Sequence, residues 1–124
     1  MTATFTIEGR MPGLNEYTRK ERGNKYQGAA MKRRETERAA WAAKAAHVPA
    51  FTEPVAVIIE WHEPNRRRDL DNVAFAKKFV LDGLVAADVL ANDDPAHVFA
   101  LSDTFHVDRK RPRIVVTITD GLEA

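Results

Sequence analysis

Thr2 to Glu8 alternates polar and apolar residues and is rich in β-branched side chains, a period of two that predicts a half-buried strand. Met11-Pro12-Gly13-Leu14-Asn15 breaks that pattern, and a basic, Gly-containing loop is expected to about Gly28. Ala29 to His47 is alanine-rich and predicts a helix that stops before Pro49. Pro54 to His62 holds the run Val55-Ala56-Val57-Ile58-Ile59, a buried strand, and Pro64-Asn65 turns the chain. A second helix is expected from Asn72 to about Ala87, with Asp71 or Asn72 as its cap. On that helix Val73, Val80 and Leu84 fall within about 20° of one another and form the core seam. Asn92-Asp93-Asp94-Pro95 is a turn. Val98 to Val107 and Arg113 to Thr119 read as strands joined by a basic hairpin tip, Asp108-Arg109-Lys110-Arg111-Pro112. The order is β-α-β-α-β-β. It predicts one α+β domain over residues 1–124, a small mixed sheet covered by two helices.

Composition narrows the class. Charged residues make up 30% and apolar ones 44% of 124, as in a folded globular chain. No apolar run is long enough to span a bilayer, and the N-terminus lacks a basic region followed by an apolar stretch, so a cytoplasmic setting without a membrane is expected. The absence of cysteine excludes disulfides, thiolate catalysis and cysteine zinc sites. Net charge is only +1, but its distribution is uneven. Arg10 to Arg34 carries eight Lys/Arg against two acids, whereas Asp69 to Asp94 carries six acids against two lysines. A basic arm beside an acidic pocket suits a metal-dependent nuclease; two solvated faces of opposite sign produce the same count.

Candidate chemistry centres on Arg66-Arg67-Arg68-Asp69-Leu70-Asp71-Asn72. If strand geometry persists, Asp69 and Asp71 point the same way, and paired carboxylates suit a hard divalent cation while arginines suit phosphate. Asp93-Asp94 is the obvious source of a third carboxylate. A helix cap plus an arginine-paired surface acid fits the same residues. An EF-hand fails because Val73 and Ala74 stand where the loop needs Asp or Asn and then Gly. No Gly-rich phosphate loop exists, so no nucleotide cofactor is expected. His47, His62, His97 and His106 show no paired ligand spacing and read as structural. Helical phase favours Lys78 over Lys77 as a phosphate-facing lysine, because Lys78 shares the outer face with Asp71 and Asp82. Arg66, Arg67, Arg68, Arg19, Lys20, Arg22, Lys25, Lys32, Arg33 and Arg34 are candidate backbone contacts, and Tyr17, Tyr26, Phe75 and Phe79 candidate stacking residues.

These residues resemble the RusA family of Holliday-junction resolvases. The likeness includes Glu60 to Asn72, Lys78, Leu81-Asp82-Gly83-Leu84, Asn92 to Pro95 and the early Pro12 to Tyr17 segment. It implies a magnesium-dependent (or manganese-dependent) homodimeric endodeoxyribonuclease that resolves four-way DNA junctions by symmetric paired nicks in recombination and repair, in a phage-derived setting. It implies Asp69 and Asp71 as metal ligands, with Asp94 or Asp93 as the third. It also implies an essential lysine, which in better-known members follows the second Asp by about one turn. Phe75 occupies that place here, and matching back from Leu81-Asp82-Gly83-Leu84 selects Lys78. Two other readings remain: a non-catalytic DNA-binding module, and a metal-dependent nuclease for flaps or duplex ends.

Overall fold

A computed structural model describes residues 1–122. The elements are β1 (Thr2–Glu8), α1 (Leu14–Gly23), α2 (Lys25–Ala45), β2 (Val55–Glu63), α3 (Leu70–Ala74), α4 (Lys77–Ala86), β3 (Val98–Val107) and β4 (Arg113–Thr119). The four strands form one mixed sheet in the order β1-β4-β2-β3. β4 is antiparallel to both β1 and β2, whereas β3 runs parallel to β2. A parallel neighbour needs a crossover, and α3 with α4 supplies it.

Strict alternation on β2 sends Val55, Val57, Ile59, Trp61 and Glu63 to one buried face. There Ile7, Ile118 and Val116 join them with Ala39, Ala43, Val80 and Leu84 from the helices. Each fully buried side chain of this size contributes roughly 1.5–3 kcal/mol before ordering costs. α4 approaches α2 closely because Gly83 has no side chain: a Cβ there would lie 2.6 Å from Ala39 Cβ and 3.0 Å from Thr36 O. The other sheet face is lined by threonines, with Thr4 and Thr117 hydroxyls 3.1 Å apart across β1 and β4.

Three expectations change. The basic segment before Gly28 is not a loop but two helices, α1 and the start of α2, divided at Asn24. Asn24 is extended, and its side chain accepts a hydrogen bond from Tyr26 N at 2.8 Å, which caps α2 four residues earlier than the alanine run suggests. The expected second helix is two helices, interrupted at Phe75–Ala76, where Ala76, Lys78 and Phe79 N–H groups bond to the carbonyl three residues back. Its seam nevertheless buries Val73, Val80 and Leu84. Finally, β3 and β4 form no hairpin, because β2 lies between them. The 108–112 segment instead crosses the end of β2, where Asp108 N donates to Glu63 O at 2.8 Å.

Candidate active site and nucleic-acid interface

β2 ends on Glu63, a carboxylate that the sheet's own period places on the buried face, where it needs compensation. Arg10 and Arg68 provide it, each reaching Glu63 Oε1 at 2.8 Å. Arg68 also donates to Met11 O at 3.0 Å and to Glu16 at 3.3 Å. This arginine is thus occupied in tying the turn after β2 to the segment after β1. Asn65 shapes the same turn by accepting from Arg67 N at 3.0 Å. Arg66 and Arg67 are exposed. Arg66, Arg68, Leu70 and Phe105 line a groove of about 660 Å³ beside the turn.

Strand geometry does not persist to the acids, since β2 ends at Glu63 and α3 begins at Leu70. Asp69 is the extended residue before α3; its carbonyl accepts from Val73 N at 3.0 Å while its carboxylate makes no capping bond. Asp71 accepts from Asn72 N at 2.9 Å. Both acids are exposed, and neither forms an ion pair among the described residues, so the arginine pairing that a purely structural role would use is missing. Asn72 in turn accepts from Asn15 N at 2.9 Å, which docks the Pro12-Gly13-Leu14-Asn15 segment against α3.

Lys77 forms an ion pair with Asp103 on β3, and Asp103 also accepts from Trp61 Nε1 at 2.8 Å. Its ammonium is held against the sheet. Lys78 remains 56% exposed, with Asp82 at 3.9 Å. Asp93 and Asp94 precede β3 and lie at the far end of the sheet from Asp69 and Asp71. The parallel register aligns Val55 with Val98 and Glu63 with Val107, and β2 is roughly 27 Å long. Within one chain, therefore, Asp94 does not join the Asp69–Asp71 pair. Asp94 bonds to His97 Nδ1 at 2.6 Å, and that bond holds its carboxyl below the usual carboxylate range.

Arg19, Lys20, Arg22, Lys25, Lys32, Arg33 and Arg34 are exposed along α1 and α2, with Lys32 3.8 Å from Asp82 and Arg34 3.3 Å from Glu35. Tyr26 is 72% exposed, whereas Tyr17, Phe75 and Phe79 pack together with centroids 5.3–6.3 Å apart. That cluster joins α1 to the α3–α4 turn and buries Phe79. One constellation escaped sequence spacing: the parallel register sets His62 opposite His106, with Glu60 two residues before His62. Only a strand-pairing map reveals it, because 44 positions separate the two histidines in the chain.

The exposed basic side chains along α1 and α2 form the kind of positive surface that a nucleic-acid backbone requires. A family model described as Endodeoxyribonuclease RusA matches residues 9–119. The chain belongs to this family of endodeoxyribonucleases, hydrolases that act on DNA. No curated protein gives a significant match.

Proposed function

We propose that this chain cuts four-way DNA junctions as a homodimer, with a divalent cation held at Asp69 and Asp71. The observation that carries the reading is the pair of exposed carboxylates that form no ion pair among the described residues, set on a turn held by Arg68 and Asn72. All-oxygen donors of this kind fit magnesium or manganese. A cation there would polarise the phosphodiester and activate the attacking water. Arg66 and Arg67 contribute positive charge to the DNA backbone, the α1–α2 surface extends that contact, and Lys78, exposed and only loosely paired with Asp82 at 3.9 Å, supplies a further ammonium. Backbone contacts of this type orient the strand without reading sequence.

Two carboxylates leave room for a third, and Asp94 lies at the other end of its own sheet. A second copy resolves the mismatch. β3 is an edge strand with exposed Phe99, Leu101 and Val107. Antiparallel pairing of two β3 strands brings Asp94 of the partner subunit to the end of β3 beside Asp69 and Asp71. A two-fold assembly built this way has two sites, as symmetric nicking requires.

The test is incubation with a four-way junction, a flap and a linear duplex, each with magnesium or chelator. Paired nicks in the junction alone are expected, and Asp71→Asn should bind the junction without cutting it. Cleavage confined to flaps or duplex ends would transfer the activity to another DNA substrate. Junction binding without cleavage under any divalent cation would make the chain a binding module.

A further inference from the structure

We infer that the uncovered sheet face carries a second metal site, specific for a borderline transition metal such as zinc, built by Glu60 and His62 of β2 and His106 of β3. It does not depend on the nuclease reading. Glu60 and His62 alternate onto the same face, and His106 is the cross-strand partner of His62. One ligand atom from each of the three lies within 4.8 Å of the others, the one group of three or more that meets this limit among the described residues. His62 Nε2 and Glu60 Oε1 are 3.4 Å apart. Tetrahedral coordination at metal–ligand distances of about 2.0–2.1 Å requires donors roughly 3.3–3.4 Å apart. The two imidazoles are stacked in the unliganded chain, with centroids 4.6 Å apart and planes at 16°, so binding turns at least one ring to bring both nitrogen lone pairs onto one ion.

The donors sit on paired strands, so little backbone ordering is needed on binding. Thr104, the ladder partner of Glu60, has its hydroxyl 2.9 Å from His106 Nε2. That bond restrains the ring, as the outer hydrogen-bond partners of ligating histidines do. The His62 side chain is 11% exposed and Glu60 41%, so the site is closed on the strand side and open to water on the other. Arg113 neighbours His62 on the β4 side, but its guanidinium is held by Asp108 at 2.8 Å. Two imidazoles and one carboxylate select zinc, cobalt or nickel over magnesium, the reverse of the Asp69–Asp71 pair. A bound ion would clip edge strand β3 to β2 one residue before Glu63, which anchors the catalytic turn.

Calorimetric titration of the metal-stripped full chain with zinc tests the site. One zinc per chain is expected in the wild type and in the Asp69→Asn/Asp71→Asn double variant. His106→Ala alters an exposed side chain and should keep the native circular dichroism while weakening zinc binding more than about tenfold, since losing even an outer-layer partner costs 10–100-fold. His97→Ala should leave the affinity unchanged. Absence of zinc binding in the wild type, unchanged affinity in His106→Ala, or loss of binding in the Asp69→Asn/Asp71→Asn variant would each overturn the assignment.

Discussion

Asn15 N donates to Asn72 Oδ1 at 2.9 Å, joining two sequence motifs that lie 57 residues apart. The contact requires Gly13: a Cβ there would stand 2.5 Å from Asn72 Oδ1 and 2.8 Å from its carbonyl oxygen. Gly13→Ala should therefore displace α3, cost about 1–3 kcal/mol in thermal or urea unfolding, and reduce DNA cleavage. Wild-type stability together with wild-type cleavage in this variant would show that the two segments move independently.

The three consecutive arginines divide by role. Arg68→Ala leaves the buried Glu63 with only Arg10, and should destabilise the fold by about 3 kcal/mol. Arg66→Ala and Arg67→Ala should keep the melting temperature and weaken DNA binding. Each phosphate contact they lose lowers the slope of log affinity against log salt by about one. Filter binding between low and moderate salt measures that slope.

The adjacent lysines separate in the same way. Lys77→Ala removes the partner of Asp103 inside the fold and should lower stability, since it leaves a half-buried carboxylate with only the Trp61 bond. Lys78→Ala should unfold at the wild-type temperature and cut DNA more slowly. Equal cleavage by Lys78→Ala and wild type would remove Lys78 from the site.

If each site takes Asp71 from one chain and Asp94 from the other, Asp71→Asn and Asp94→Asn must complement. Neither homodimer should cut. Mixed dimers should regain one intact site and produce single nicks, because one of the two composite sites then carries both native acids. A site formed within one chain gives no recovery on mixing, so a gel of the mixed sample separates the two geometries.

Asp108 caps the 108–112 turn by accepting from Lys110 N and Arg111 N at 3.2 and 3.1 Å. The Arg111 N–H and then the Arg113 guanidinium hold its carboxyl below the ordinary value of 3.8. The native state therefore binds this proton less readily than the unfolded chain. The turn's contribution is complete above the ordinary carboxylate value and fades as pH falls through the lower folded one. Asp108→Asn should be less stable than wild type at neutral pH, and the gap should shrink in acid.

Much of this protein is local and so could be read from the chain. The period of two in β2, the seam of Val73, Val80 and Leu84, and the cluster Arg66 to Asn72 depend only on neighbours a few residues apart. The break at Asn24 was also local, but an N-cap side chain inside a basic run is easily masked by charge. What required the tertiary structure was everything set by strand order. Burying β2 on the helix-covered face while α3 and α4 cross back makes β3 its parallel partner at the edge of the sheet, and three consequences follow. Asp94 is carried away from Asp69 and Asp71, Lys77 is turned onto Asp103, and His62 is set against His106. The first and third follow from the parallel register of β3 on β2 and the second from how α4 packs on the sheet; both are decided by which faces are buried together rather than by spacing along the chain.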